Sequence, residues 1–403
     1  MTELASLPAL GVAFSDDAHA AYAALRPQRL AQSPNGLLAF LHYADVQAVL
    51  CDPQLKPTGL ELLDVAGVTT GPLREMFERL VFNVEGEDHL RLRRLVSKAF
   101  TPRAIEALRP SVRSKTSALL DAIERAGHGD LTEDLAKPLA ITTLCDLLGV
   151  PEEDIPLFQH WAAGMGQAFG LLTPELIPVV EAAAVGMTEY AEILIERRRA
   201  EPTGDLVSAL VAAEEEGSRL STSELVATVA NLLFAGYDTT YRQITLGILC
   251  LARSRPAWER LAADPSAAPG VAEEVLRLEP IAHSTVRLAV SHTSINGIDL
   301  PAGTLVEPMI GAANRDPGVF ADPDRLDPDR TEARALSFGQ GMHHCLGAAL
   351  ARLELAEALT ATASRLHDWT VEIDEPDWYP LTEPFRGLAS LAVQGPAVKA
   401  TSW

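Results

Sequence analysis

Apolar side chains recur at intervals of three and four residues along most of the chain, which is the spacing of a buried helix face. This spacing predicts helices at 17–26, 87–100, 103–126, 131–148, 151–168, 174–200, 204–215, 221–252, 256–263, 267–279 and 345–366. Short apolar runs predict strands at 37–41, 286–290, 304–308 and 387–393. We therefore expect a mainly α protein with small β-sheets. No repeat or low-complexity linker divides the sequence, so we expect a single domain over 1–403.

Segment 221–252 is unusually long for one helix. It begins with the capping box "STSE" and continues as "LVATVANLLFAG", which is apolar on nearly all sides and indicates a path through the protein's centre. "AGYDTT" at 235–240 follows. A mid-helix glycine costs about 1 kcal/mol relative to alanine, and Asp238 and Thr239 need partners if they are buried. Taken alone, this stretch fits a kinked helix with satisfied polar groups as well as a functional groove.

Charge and cysteine content narrow the class of protein. A net charge of −22 argues against binding to nucleic acid or to an anionic membrane surface. The four cysteines contain no CxxC pair, which argues against a disulfide framework or a structural zinc site and fits a reducing compartment. The sequence shows no signal-peptide pattern and no apolar run of about 18 residues. We expect a cytoplasmic protein without a membrane anchor.

Cys345 differs from the other cysteines because it lies in a glycine-rich stretch, "LSFGQGMHHCLGAAL" at 336–350. The helix predicted to follow it would present free N–H groups and the positive end of its dipole to the thiol. The glycines let the backbone come close to a flat or bulky group. Three interpretations remain open from these residues alone: an acyl-transfer nucleophile, a metal ligand and an inert buried thiol.

"FGQGMHHCLG" at 338–347 resembles the haem-binding loop of the cytochrome P450 monooxygenases. Other motifs resemble the same family in the same order: "EGEDHLRLRRLVSKAFTPR" at 85–103, "AGYDTT", "EEVLR" at 273–277, and the proline-containing loop at 314–335. The resemblance implies the cytochrome P450 fold, a large triangular helix-rich domain around a buried haem b. It also implies that Cys345 is the thiolate ligand of the haem iron.

The resemblance also assigns roles to individual positions. It implies that the haem is held by His89, Arg93, Arg287, His343, Phe338, Gly339 and Gly347. It implies that Asp238 and Thr239 form an acid–alcohol pair that delivers protons during oxygen activation, beside a groove widened at Gly236. Glu274, Arg277 and Arg330 would form a buried structural network.

The substrate pocket of the family falls at 54–83, 158–185, 281–286 and 386–391. "HWAAGMGQAFGLL", within the second range, is uncharged and predicts a mostly apolar substrate, with terpenoid, steroid, aromatic and polyketide types all open. Candidate lining residues are Leu233, Phe234, His283, Ser284, Val286 and Leu388. His283 and Ser284 could be a polar anchor for the substrate or ordinary loop residues.

The expected partners are O2, an acidic ferredoxin with its reductase as electron source from NAD(P)H, and the organic substrate; we expect a monomer. A basic docking patch is predicted from Arg91, Arg94, Lys98, Arg103 and Arg352, although an ordinary solvated helix face is the alternative. Two other functions compete with the monooxygenase. One is a peroxide-driven thiolate-haem peroxygenase, in which the acid–alcohol pair is dispensable, and the other is a haem-thiolate sensing protein without turnover.

Overall fold

Helices dominate the computed structural model of the protein, which describes residues 4–7, 18–33, 36–97, 100–170, 172–215, 220–379 and 385–396. The helices of the first half are α1 (Ala18–Leu25), α2 (Tyr43–Cys51), α3 (Gly59–Val65), α4 (Pro72–Arg79), α5 (Gly86–Ser97), α6 (Pro102–Glu106), α7 (Arg109–Ala126), α8 (Lys137–Leu148), α9 (Ile155–Gly166) and α10 (Ile177–Ala200). Those of the second half are α11 (Leu206–Glu215), α12 (Thr222–Ala235), α13 (Asp238–Arg253), α14 (Arg255–Ala263), α15 (Ala268–Leu278), α16 (Ile310–Ala313) and α17 (Ala348–Arg365).

The strands are short and form small sheets, as the sequence predicted. They are β1 (Ala5–Ser6), β2 (Leu30–Gln32), β3 (Leu38–Phe40), β4 (Leu55–Pro57), β5 (His128–Asp130), β6 (Arg287–Ala289), β7 (Thr293–Ile295), β8 (Ile298–Leu300), β9 (Leu305–Pro308), β10 (Thr370–Val371), β11 (Asp377–Trp378), β12 (Leu388–Ser390) and β13 (Ala392–Gln394). A six-stranded sheet has the order β1-β2-β3-β9-β6-β4, and a three-stranded sheet has the order β10-β13-β5. β11 pairs with β12, and β7 pairs with β8 through a turn at Asn296 and Gly297, both of which have positive φ.

The predicted central helix at 221–252 is two helices in the structure. The capping box at Ser221 and Glu224 is present, and nearly every position of α12 and α13 is buried. The helical hydrogen bonding breaks at Gly236 and Tyr237, between α12 and α13. The chain passes close to α8 at this point, since a Cβ on Gly236 would lie 2.9 Å from Leu144 Cδ1. The predicted continuous helix is therefore interrupted where the central helices meet α8.

Other predicted helices are divided or shortened. Segment 103–126 forms α6 and α7, and Pro110 near the start of α7 has no N–H to continue the first helix. Segment 131–148 is a π-helical turn followed by α8, which carries a proline at its own start. The last helix starts at Ala348 rather than at 345, so Cys345 precedes α17 instead of belonging to it.

The hydrophobic core surrounds the central helices. α13 packs against α15 and α17, while α12 packs against α10. Within this buried pair of helices, Asn231, Ala235, Gly236 and Thr239 keep accessible surface. Asn231, Ala235 and Thr239 recur at intervals of four residues and so share one face, which keeps accessible surface. This face carries the "AGYDTT" stretch.

Candidate active site

In the loop before α17, two glycine-dependent turns precede the cysteine. Gly339 and Gly341 adopt φ values of +67° and +72°, which favour glycine, and the Cys345 amide donates to the Phe338 carbonyl at 2.8 Å. The thiol remains accessible. Its pKa is raised, chiefly because the surrounding protein desolvates the thiolate.

Several groups oppose the rise that desolvation causes in the pKa of Cys345. Backbone N–H groups of Gly347 and Ala348, at the start of α17, lower the thiol pKa by hydrogen bonding. The positive charges of Arg93 and Arg352 act in the same direction. The site therefore presents an accessible sulfur to which donors and cations point, which is the environment of a metal-binding thiolate.

α5 lies against the cysteine loop. His89 is buried, with Nδ1 2.8 Å from the Val81 carbonyl and Nε2 3.1 Å from the Met342 carbonyl. Arg93 donates to the His344 carbonyl, and burial lowers the pKa of its guanidinium. The rings of His89 and His343 lie 4.5 Å apart between centroids. The structure thus brings these expected haem contacts together around one loop.

Buried cations near this loop need an anion. Arg287 on β6 is buried, its guanidinium donates to Thr285 Oγ1 at 2.8 Å and to the Val286 carbonyl at 3.0 Å, and burial lowers its pKa to about 10. His343 contacts Glu85 through Nε2 at 3.1 Å, while its buried Nδ1 has no hydrogen-bond partner within the described part of the chain. An accessible thiol beside buried cations fits a flat iron porphyrin with acidic substituents.

Sequence reasoning missed Glu85. It lies just before α5, pairs with His343, and its charge favours the protonated form of Arg287. The "EGEDH" stretch contains three acidic residues with nothing to distinguish the first of them, so only the tertiary structure identifies it.

The expected acid and alcohol meet different partners in the structure. The Asp238 carboxylate is buried and accepts from Arg242 Nε at 3.0 Å, and the Thr239 hydroxyl donates to the Ala235 carbonyl at 2.8 Å. Gly236 lies between them and the end of α12. Thr239 is therefore on the accessible face, and Asp238 lies behind it. Sequence reasoning missed Arg242.

Glu274, Arg277 and Arg330 converge in one buried cluster. Arg277 binds both carboxylate oxygens of Glu274, at 2.6 and 2.8 Å, and Arg330 Nε binds Glu274 Oε1 at 3.1 Å. Arg277 also donates to carbonyls of the 314–335 loop, at Asn314, Pro323 and Arg325. A segment without helix or strand is thus fixed by one buried guanidinium.

Most of the expected pocket residues do not lie on an accessible wall. Leu233 and Leu388 have no accessible surface, so they belong to the core behind any pocket. His283 is buried with Nδ1 2.8 Å from the Tyr22 hydroxyl, and Ser284 donates to Glu307 at 2.6 Å. These internal partners favour the alternative that His283 and Ser284 are ordinary loop residues over the role of a polar anchor. Val286 is half-buried.

Phe234 belongs instead to an aromatic cluster that sequence reasoning missed. Its centre is Phe169, whose ring centroid lies 5.7 Å from those of Phe77, Phe82 and Phe234, and 6.3 Å from that of Phe385. The members come from α4, the loops after α4 and α9, α12, and the segment before β12. We call these five residues the phenylalanine cluster. They are too far apart in the sequence for any local pattern to group them.

The predicted basic patch is only partly available. Arg91 pairs with Asp88 and Glu224, and Arg352 pairs with Glu273 while its guanidinium lies 4.6 Å from the Phe338 ring. Paired arginines add little net charge, which corrects the expectation for these two. Arg94 and Arg103 are exposed. Lys98 lies outside the described residues.

A groove of about 870 Å³ runs beside the helix that follows the cysteine. Its floor is apolar, with Ile105, Leu353 and Ala356. Its rim carries Arg109, Arg113, Arg352 and Arg365. It lies between α6, α7, α15 and α17, so it is on the cysteine side of the molecule.

Comparison with known proteins identifies the family. The cytochrome P450 family model matches residues 171–265 and 268–388. The chain is 37% identical to "Cytochrome P450 107B1" of Saccharopolyspora erythraea, over 97% of this chain and 98% of that protein. It is 39% identical to "Mycinamicin IV hydroxylase/epoxidase" of Micromonospora griseorubida, over 84% and 85% of the two chains.

Solved structures agree with this result. P450BioI, solved in complex with acyl carrier protein ligated to hexadec-9Z-enoic acid, superposes with a TM-score of 0.87 at 30% identity. The match covers 95% of this chain and 99% of that one. The chain belongs to the cytochrome P450 family and is a P450 monooxygenase with a haem cofactor. Within the described residues, none of the helices has the length and apolar character needed to cross a membrane.

Proposed function

We propose that this monooxygenase oxidises an apolar polyketide-type substrate, with O2 and with electrons that pass from NAD(P)H through a ferredoxin reductase and an acidic ferredoxin. The observation that carries the substrate class is the phenylalanine cluster beside the accessible face of α12 and α13. The name of one relative, a mycinamicin IV hydroxylase/epoxidase, supports the polyketide type among the apolar classes.

The cysteine side would hold the haem. Cys345 would be the thiolate ligand of the haem iron, because it is accessible and accepts from the amides at the start of α17. Arg287 and Arg93 would bind the two carboxylates of the haem, since a desolvated guanidinium gains most from an anionic partner. His343 would offer its Nδ1, which is unpaired within the described residues, and His89, whose ring nitrogens both face backbone carbonyls, would pack against the His343 ring. When bound, the haem supplies an electron-rich iron centre for oxygen activation.

Asp238 and Thr239 would deliver protons for oxygen activation. Thr239 lies on the accessible face and carries a hydroxyl that can both donate and accept. Asp238 is buried one position earlier and would take protons up from the interior side. The pair would move protons to the reacting oxygen in a positioned, water-poor site.

The phenylalanine cluster would form the apolar wall of the substrate pocket. It contains rings from both the central helix and the peripheral segments, so a substrate would contact elements that are distant in sequence. Aromatic rings offer a large apolar area with little conformational freedom to lose, which suits an extended hydrocarbon skeleton.

Ultraviolet–visible spectra provide the test of the haem assignment. The reduced protein with carbon monoxide should show the red-shifted Soret band of a thiolate ligand, and Cys345→Ala should lose that band. Cys145→Ala is the matched control, since it removes a buried cysteine far from the glycine loop. A histidine-type Soret band in the undenatured protein would contradict the assignment of Cys345.

The substrate and the electron source need a separate experiment. Polyketide, fatty-acyl, terpenoid and steroid compounds would be screened for spin-state shifts, and the strongest binders tested with NADH, ferredoxin and reductase. The expected result is product formation that depends on NADH and O2 with a polyketide-type compound. Product formed only from added peroxide would instead identify a peroxygenase, and binding without turnover would identify a sensing protein.

A further inference from the structure

A buried arginine lies one helical turn after the expected proton-delivering acid. Arg242 and Asp238 are both on α13, and Arg242 Nε lies 3.0 Å from Asp238 Oδ2. Their side chains are only 3% and 11% exposed. A buried ion pair of this kind is strongly coupled, because removal of either partner leaves an uncompensated charge in the interior.

Three residues near the C-terminus fix the position of Arg242: Tyr379, Phe385 and Gly387. We call these three residues the C-terminal segment. One terminal nitrogen of its guanidinium donates to the Phe385 carbonyl at 3.0 Å, and the guanidinium lies 4.1 Å from the centroid of the Tyr379 ring. The stem of Arg242 packs on Gly387, where a Cβ would come within 2.8 Å of Arg242 Cγ. The Tyr379 amide in turn donates to the Gly387 carbonyl at 3.0 Å.

This same C-terminal segment belongs to the proposed pocket wall. The Phe385 ring lies 6.3 Å from Phe169 at the centre of the phenylalanine cluster, while the Phe385 carbonyl accepts from Arg242. The Phe385 side chain therefore contacts the proposed pocket wall, while the Phe385 backbone carbonyl contacts Arg242. A displacement of Phe385 changes the contact that orients Arg242.

The other groups around Asp238 leave Arg242 as its close cation. Burial raises the pKa of Tyr237 to about 12 and also raises the pKa of Tyr241, so both phenols are neutral at physiological pH. Lys137 and Glu133, from α8 and the turn before it, pair with each other, and Lys137 Nζ lies 5.4 Å from the centre of the Tyr241 ring.

Among the described residues, the other groups near Asp238 include uncharged ones. The Tyr241 hydroxyl donates to the Tyr379 hydroxyl at 3.2 Å. From α9, Gly166 approaches Asp238, and a Cβ there would lie 3.6 Å from Oδ2. The placement of the carboxylate therefore depends on Arg242.

We propose that Arg242 is a positioning residue that couples the C-terminal segment, and through Phe385 the occupancy of the pocket, to the placement of the Asp238 carboxylate. This inference rests on the proposed role of Asp238 in proton delivery. In the structure, Asp238 accepts a hydrogen bond from Arg242 while the Thr239 hydroxyl donates to the Ala235 carbonyl. Contact of a ligand with Phe385 would shift Arg242 and so change its hydrogen bond to the Asp238 carboxylate.

A double-mutant cycle on thermal unfolding tests the ion pair without any turnover. Arg242→Leu should lower the unfolding midpoint more than the double variant Arg242→Leu/Asp238→Asn does, because the second substitution removes the stranded carboxylate. The matched control is Arg255→Leu with Glu259→Gln, an exposed pair of the same spacing. That cycle should be close to additive. Additive losses at Arg242 and Asp238 would sink the proposal.

Hydrogen–deuterium exchange of the haem-loaded protein tests the coupling to the pocket. 4-Phenylimidazole serves as a probe that fills the space beside the phenylalanine cluster. In the wild type it should alter amide exchange at 238–242 by about threefold or more. Arg242→Leu should lose this response but keep probe affinity, and Arg242→Lys should restore part of it.

These outcomes separate the inference from the proposed function. An unchanged exchange response in Arg242→Leu would show that pocket occupancy reaches α13 by another route and would overturn the coupling. A non-additive stability cycle without a thiolate Soret band would instead leave the ion pair intact and contradict the haem assignment. If Arg242→Leu fails to fold, Arg242→Lys alone carries the exchange test. A weakened response is expected because a single ammonium group does not reproduce the geometry of a guanidinium that contacts both Asp238 and Phe385.

Discussion

Asp238 and Thr239 are adjacent in sequence but have different surroundings in the structure. Thr239 faces the accessible side of the central helices, whereas Asp238 is turned into a buried ion pair. Adjacent residues on a helix differ by about 100° in direction, so one can meet substrate while the other meets the interior. Substitutions of Asp238 and of Thr239 should therefore impair different steps of the reaction.

Thr239→Ala should still consume NADH but should form less product. Loss of the hydroxyl removes the group that directs the proton, so electrons should leave as hydrogen peroxide. Asp238→Asn should instead slow oxygen consumption itself, by about 10²–10⁴-fold, because a positioned acid is lost. The measurement is product and peroxide formed per NADH for the three proteins. Unchanged coupling in Thr239→Ala would assign proton direction to another group.

Glu354 is a second buried acid, on α17, and the proposed reaction does not use it. It is 2% exposed, and burial raises its pKa well above the ordinary value of a glutamate. A carboxyl with a raised pKa in the folded state stabilises the fold only below its unfolded pKa. That stability is lost as the pH rises toward the folded pKa, because the unfolded chain releases the proton first.

Glu354→Gln should therefore become more stable relative to the wild type as the pH rises. The difference in unfolding free energy should grow by about 1.4 kcal/mol per pH unit above the unfolded pKa of about 4.3, up to the folded pKa. Thermal unfolding of both proteins between about pH 5 and about pH 8 measures it. The exposed Glu259→Gln is the control and should show no such trend. A constant difference would mean that Glu354 is ionised in the folded protein.

At the scale of elements, periodicity predicted the long helices and missed several of the short ones. α10 and α12 contain enough turns for an apolar stripe to stand out, whereas α2, α3 and α4 are short and follow one another through turns. The β7–β8 hairpin had a local signal, the Asn296–Gly297 pair between apolar residues, which the strand prediction did not use. The turn residues, and not the short strands, carry the sequence signal for this hairpin.

Those parts of the site that lie within one continuous sequence motif were predictable. The cysteine loop and the Glu274–Arg277 pair are local in sequence, and the structure places each within one loop or one helix. The pocket was not predictable in this way. Leu233 and Leu388 have the apolar character of a wall but lie in the core, while the phenylalanine cluster joins segments more than two hundred residues apart. Sequence alone does not distinguish core from wall.

Phe169 gives the sharpest test of the pocket wall. Phe169→Ala should weaken binding of 4-phenylimidazole about five- to tenfold relative to imidazole, because an aromatic pair contributes about 1 kcal/mol beyond the area that it buries. Phe100→Ala is the matched control, since Phe100 is also half-buried against the core but lies outside the cluster. Equal losses for both probes would show that Phe169 does not face the pocket. The measurement is a spectral titration with each compound.

At the scale of the whole molecule, the net charge of −22 opposes the approach of an acidic electron donor. Docking of an acidic donor would therefore need a local basic surface. The ion pairs among the described residues show which arginines could contribute to it. Arg91 and Arg352 are neutralised by glutamates and an aspartate, while Arg94 at the end of α5 is exposed. α5 lies against the cysteine loop, so a donor docked on α5 would be near the proposed haem ligand.

Arg94→Glu should slow reduction by an acidic ferredoxin and flatten the dependence of that rate on salt, with little change in probe affinity. The screening length is about 8 Å at physiological ionic strength, so only charges near the docking site should matter. Arg79→Glu is the matched control, because Arg79 is likewise exposed in the last turn of its helix but belongs to α4 on the pocket side.

Both variants lower the net charge from −22 to −24, since one positive charge becomes one negative charge, so their overall repulsion of the donor is the same. Any difference between them therefore reports the position of the charge. Stopped-flow reduction at several salt concentrations measures it. Equal slowing by the two variants would mean that the whole-molecule field controls approach, and that the α5 surface has no special role in docking.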